Sequence, residues 1–335
     1  MMREHGAWRV VMMAALAAAA LMAFATPALA ETSWIMASGY PEDSFFTKNI
    51  RLFIEDVKEA TGGELVIDLR SNDSLIKHDA IKRAVQSGQV QAGEIRLSVY
   101  GNEDIMYGLD SIPNLVTSYD EAWKLMEAQD VYLSKLFEEN GMRIITYVSW
   151  PGQGFYTAEP VTSLADLKGQ SLRIYSPQTQ QMGEMLDMNA TILPFAEVPQ
   201  AFSTGLIEAL WTSAQTGTDV QAWDYVDHFT YTGSLHTKNA IIVNGDAFDA
   251  LTEDQQQAVL AAGKKASERG FELSKEASRE REQVLIDHGM TVTEAPEDVM
   301  DKMREIGLTM VEEWRGEANP DQVAVLDAYL ASVGR

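Results

Sequence analysis

Arg173 stands inside an otherwise apolar, strand-like stretch, LRIY, in a 335-residue chain that carries 50 acidic and only 26 basic residues. An unpaired guanidinium in a partly closed site is costly, so this residue needs an anion. Two partners could satisfy that need: a structural Asp or Glu of the chain, which composition alone favours, or a ligand that brings its own negative charge. Four aromatic residues fall near the ends of the same set of strand-like runs, Trp150, Tyr175, Phe195 and Trp211. Ends of parallel strands are where α/β proteins place ligands. Taken one at a time, each of these aromatics also reads as core.

Other chemistries lack their residues. There is no Gly-x-Ser-x-Gly elbow, no His-Glu-x-x-His and no Walker-type phosphate loop, and the glycines of GQGFYT lack the third glycine of a dinucleotide fingerprint. Beyond the first thirty residues the histidines are His78, His228, His236 and His288, with no two at metal-ligand spacing, so neither a metal site nor a cofactor is expected. His236 reads as a capping group that supports other side chains. The absence of cysteine rules out disulfides, thiol catalysis and Cys-ligated zinc. No spacing among the acidic residues selects a carboxylate pair for acid/base work. A net charge of −24 repels nucleic acid and anionic membrane surfaces. These residue types select no enzyme chemistry.

The elements that must hold these residues follow from periodicity. Phe46, Ile50, Phe53, Ile54 and Val57 share one helical face, ended by Gly62-Gly63, and ELVIDL then reads as a strand. A helix over 79–87, a strand in QAGEIRLSV, a helix capped by SYDE at 118–121 and the strand MRIITYVSW continue the alternation. Alternating strands and helices predict an α/β chain with mainly parallel sheets. PGQG at 151–154 is a candidate crossover to a second α/β unit containing SLRIY, NATILPF, the helix EVPQAFSTG and LIEALW, and KNAIIVNG is the return strand. From Thr252 to His288 there is no proline and TEDQ opens a capping box. At about 1.5 Å per residue that helix exceeds 50 Å, enough to brace two lobes; a break near Gly270 is the alternative.

The N-terminus has the three parts of a secretory signal: Arg3 and Arg9, an apolar run from Val10 to Ala25, and Ala28-Leu29-Ala30 before Glu31. The expectation is a leader over 1–30 and an exported, periplasmic protein, with an uncleaved anchor as the alternative.

The block DLKGQSLRIYSP … ILPFAEVPQAFSTGLIEA resembles the solute-binding proteins of TRAP transporters, the DctP-like family, and TGGELVIDL, DSIPNL, HTKNAIIVN and LTEDQQQAVLAAG extend the likeness over nearly all of the chain. The resemblance implies a two-lobed, type II periplasmic-binding architecture that closes on a small organic anion and hands it to a membrane permease, working as a monomer without cofactor. The lobes it implies are 31–150 with 240–280, and 151–239 with 281–335. It implies that Arg173 grips the ligand carboxylate with two prongs, as a planar guanidinium can and lysine cannot.

Departures from the family pattern shape the expected ligand. Thr212 stands where many members carry asparagine, and Gln153 where some carry a second arginine, so a strong second anionic clamp is not expected. The cargo is then a monocarboxylate or sulfonate with a polar or flat apolar tail. Gln153, Thr212 and Ser213 are its neutral hydrogen-bonders, and Trp150, Trp211, Tyr175 or Phe195 cover the tail. Glu94 and Tyr40 reach in from the first lobe. A ligand-sensing partner for a membrane signalling protein and an exported enzyme are the rival readings.

Overall fold

The computed structural model describes residues 32–335, so the expected leader lies outside the described residues. The chain opens with β1 (Thr32–Ala37), α1 (Phe45–Ala60) and β2 (Leu65–Arg70), then α2 (Ile81–Gln86) and β3 (Ala92–Arg96). The buried face of α1 is formed by Phe46, Ile50, Phe53 and Val57, the expected stripe. Two 3-10 turns, Leu97–Tyr100 and Ile105–Ser111, lead to α3 (Tyr119–Glu139) and β4 (Met142–Ser149). Ser118 caps α3 by accepting from Glu121 N at 3.2 Å, while Glu121 Oε2 accepts from Thr117 N at 2.7 Å.

The second unit follows: β5 (Gln153–Thr157), β6 (Ser171–Ile174), α4 (Pro177–Met185), β7 (Asn189–Ile192), α5 (Val198–Ser203), β8 (Ala209–Ser213), α6 (Ala214–Asp219) and β9 (His228–Tyr231). The chain then returns in β10 (Lys238–Asn244), turns through α7 (Gly245–Asp249) and enters α8 (Glu253–Asp287). It ends in β11 (Thr291–Glu294), α9 (Glu297–Glu317) and α10 (Pro320–Ser332).

The strands form two sheets, β2-β1-β3-β10-β4 and β11-β9-β5-β8-β6-β7. Each is mixed rather than mainly parallel. β10 runs antiparallel to β3 and β4, and β5 antiparallel to β8 and β9, because these strands enter their sheets directly from the crossings between lobes. Crossings therefore lie at 149–153 and 231–238, with α8 as the third connection.

α8 is unbroken at Gly270 and packs on α1 and β4 in one lobe, then on α6 and β11 in the other. Its buried stripe is mostly small, including Ala262, Gly263, Ala266, Ser267, Gly270 and Ser274. Ser267 Oγ accepts from Tyr147 N at 3.1 Å, and Asn49 Nδ2 donates to Ala266 O at 2.9 Å. These bonds fasten the helix directly to the first lobe. The C-terminal segment departs from the expected division: α10 packs on α3 of the first lobe, where Tyr329 OH donates to Leu115 O at 2.6 Å. Its apolar face finds the open side of α3, which the second lobe does not cover.

Candidate functional site

β6 is a four-residue strand held between β7 and β8, where Arg173 pairs with Thr191 and Leu210. Its side chain is 1% exposed. Nε donates to Leu193 O at 3.0 Å, while Nη2 is buried with no acceptor. Among the described residues no carboxylate comes within 4 Å of this guanidinium, so its charge is not neutralised by the chain. Burial first, and the nearby Arg96 cation second, pull its pKa down to about 9. It remains protonated at neutral pH.

Arg96 comes from the opposite lobe, at the end of β3, paired across the sheet with Asn239. Its Nε is buried without an acceptor, and its nearest carboxylate, Asp79 Oδ1, stands 3.8 Å away on a half-exposed side chain. Both guanidiniums lie over the Tyr175 ring, at 5.2 Å for Arg96 and 5.7 Å for Arg173. Two under-compensated cations thus face one gap in an acidic protein. A second cation lines the gap although a strong second anionic clamp was not expected. The position occupied by Gln153 is neutral, and the charge arrives from the other lobe instead.

The gap between them is a small cavity. Tyr40, Arg96 and Trp150 line it from the first lobe and Thr237 from the return crossing; Gln153, Arg173, Tyr175, Phe195, Thr212, Ser213 and Thr216 line it from the second. Gln153 Oε1 accepts from Tyr175 OH at 2.8 Å, and its Nε2 donates to Thr237 Oγ1 at 3.4 Å. Ser213 Oγ caps α6 by accepting from Thr216 N at 3.4 Å. Tyr40 meets Trp150 edge-on at 5.1 Å and Phe195 at 5.6 Å, so one ring from the second lobe completes an aromatic wall built on the first.

Asn239 holds that wall. Its Oδ1 accepts from Trp150 Nε1 at 2.7 Å, and its Nδ2 donates to Glu94 Oε1 and to Tyr40 OH, the latter at 3.4 Å. Glu94 also accepts from Ser38 Oγ at 3.0 Å and lies 3.3 Å from His78 Nε2, off hydrogen-bond alignment. Both its oxygens are committed beneath the wall. Glu94 therefore does not line the cavity, contrary to expectation.

Trp211, an expected contact, and His236, read from sequence as a supporting group, are also absent from the lining. Side chains alternate along β8, so Thr212 faces the cavity and its neighbour Trp211 the opposite side, edge-on to Phe155 at 4.5 Å in the core. His236 lies behind the crossover: Nδ1 pairs with Trp150 O at 3.2 Å and the ring packs on Tyr119. Burial lowers its pKa to about 4, which keeps it neutral at physiological pH. Sequence reasoning missed Arg96, Thr216 and Thr237. Only Arg96 left a signal, as a cation in the apolar stretch GEIRLSV.

The DctP family profile, described as bacterial extracellular solute-binding protein, family 7, matches residues 36–317. The C4-dicarboxylate-binding periplasmic protein DctP of Rhodobacter capsulatus is 26% identical over 82% of this chain and 84% of its own length. Among solved structures, DctP7 of Bordetella pertussis, an extracytoplasmic solute receptor binding pyroglutamic acid, is 41% identical with a TM-score of 0.86, over 89% of this chain and 99% of that one. A marine metagenome TRAP solute-binding protein specific for pyroglutamate is 31% identical with a TM-score of 0.86, over 90% and 99%.

Proposed function

The chain belongs to the DctP family of bacterial extracellular solute-binding proteins, receptors of TRAP transporters and not enzymes, and from that premise we propose that its cargo is a compact cyclic monocarboxylate of the pyroglutamate kind. The observation that carries this reading is the buried, un-neutralised guanidinium of Arg173. An incoming carboxylate supplies the missing anion and receives parallel N–H bonds from the fork. Arg96, partly compensated by Asp79, donates from the first lobe to the outer side of the same ligand. Gln153, Thr212, Ser213 and Thr216 offer neutral hydrogen bonds to a ring amide, and Tyr40, Trp150, Phe195 and Tyr175 enclose its apolar edge. The cavity is small, which favours a compact ligand. The pyroglutamate binders at 41% and 31% identity support the same class.

Binding works by hinge closure. The ligand touches both lobes at once only when they are shut, and that difference in affinity is what moves the equilibrium. The lobes are 32–150 with 240–280, joined by α10, and 151–239 with 281–317. The leader over 1–30 carries the chain to the periplasm, where the monomer delivers its cargo to the membrane subunits of a TRAP permease.

Isothermal titration with L-pyroglutamate tests the reading. The expected result is one site per chain at micromolar affinity or tighter, weakened about 100-fold or more in Arg173→Ala, as for loss of one partner of a buried charge pair. D-glucuronate and succinate bind far more weakly. No binding of L-pyroglutamate, with tight binding of succinate, overturns the ligand class.

A further inference from the structure

Pro177 and Gln178 open α4 three residues beyond the strand that carries Arg173, so the first turn of α4 stands at the rim of the cleft. There the Gln178 side chain enters the first lobe between Gly101 and Gly108, two buried glycines, one just after the first 3-10 turn beyond β3 and one within the second. A Cβ at Gly101 would stand 2.9 Å from Gln178 Nε2, and one at Gly108 would overlap the amide carbon, oxygen and nitrogen together. Neither glycine has a positive φ, so what the slot requires of them is space and not backbone freedom. Gln178 Oε1 is buried with no hydrogen-bond partner, so the amide is held by fit alone.

The position ties this contact to closure. A second cavity, lined by Tyr100, Asn102 and Pro177 among others, shares Arg96 and Tyr175 with the ligand cavity and so lies at its mouth. The knob belongs to one lobe and the slot to the other. We infer that Gln178 and the Gly101–Gly108 slot form a closure contact, made only when the lobes shut, that sets how tightly the chain retains its cargo. The inference rests on the hinge-closure reading above. A methyl group in the slot leaves the amide nowhere to sit: either Gln178 is expelled or the lobes stop short, and in both cases the closed state loses ground to the open one.

The test is a pair of substitutions. Gly108→Ala raises the Kd for L-pyroglutamate about tenfold while the melting temperature without ligand stays at the wild-type value, and Gly108→Ala combined with Gln178→Ala recovers most of the loss by vacating the slot. Gly101→Ala repeats the experiment should Gly108→Ala disturb the fold. Because the chain has no cysteine, spin labels on Glu55→Cys and Glu184→Cys report lobe separation directly. Protein taken from cells, before ligand is added, is expected to show a shorter separation in wild type than with Gly108→Ala, whatever cargo it carries. Failure of wild type to bind L-pyroglutamate with this difference intact removes the cargo assignment and leaves the slot. Equal separations, or a double variant no better than Gly108→Ala alone, overturn the slot.

Discussion

A guanidinium taken out of water is expensive unless something negative meets it, and Arg173 meets only the Leu193 carbonyl and the face of Tyr175. Arg96 repeats the arrangement from the facing lobe. Arg96→Gln is therefore expected to raise the Kd for L-pyroglutamate by about 10-fold, less than Arg173→Ala because Asp79 already shares its charge; equilibrium titration measures both. Trp211→Phe behaves in the opposite way. It lowers the melting temperature by a few degrees, through a smaller ring in the core beside Phe155, and leaves affinity unchanged. The two outcomes separate residues that face the gap from those that only neighbour it in sequence. Arg173 was legible as a cation in an apolar strand, and Arg96 obeys the same rule. Trp211 and Glu94 were misplaced because spacing does not give a strand's phase relative to the cleft, nor which neighbours take up a carboxylate's oxygens.

Among the elements, α8 was the most legible, since its capping box at Thr252 and its freedom from proline mark it end to end. Its mode of packing was not legible. A glycine in a helix interior costs about 1 kcal/mol relative to alanine in general, yet at Gly263 a Cβ would overlap Ile145 O of β4. Gly263→Ala is accordingly expected to destabilise the chain by about 1–3 kcal/mol, reversing the usual sign, as read by denaturant unfolding. The strands β1, β5, β9 and β11 were not recognised. All five residues of β5 are buried, so no alternation marks it, and its Gly154 reads as a turn. β9 and β11 are four residues each, too short for a period to emerge. β5, antiparallel to β8 and β9, makes the second sheet mixed and sets Gln153 opposite Ser213.

At the scale of the whole molecule, two sheets joined at 149–153, at 231–238 and through α8 place a cationic, aromatic-walled gap inside an acidic protein. At about 0.15 M salt the Debye length is near 8 Å, so the acidic exterior barely opposes entry of an anion, and once the lobes close the bound carboxylate neutralises the site from within. α10, which reaches back to α3, was assigned to the wrong lobe because helix amphipathicity says which face is buried and not against what. The central claim is that cargo, and not the chain, completes the coordination of Arg173. Mass spectrometry of small molecules released by denaturing the purified protein tests it most directly. The account predicts about one organic acid per wild-type chain, pyroglutamate or a close analogue, and none from Arg173→Ala. An Arg173→Ala protein that releases the same acid in the same amount would contradict it.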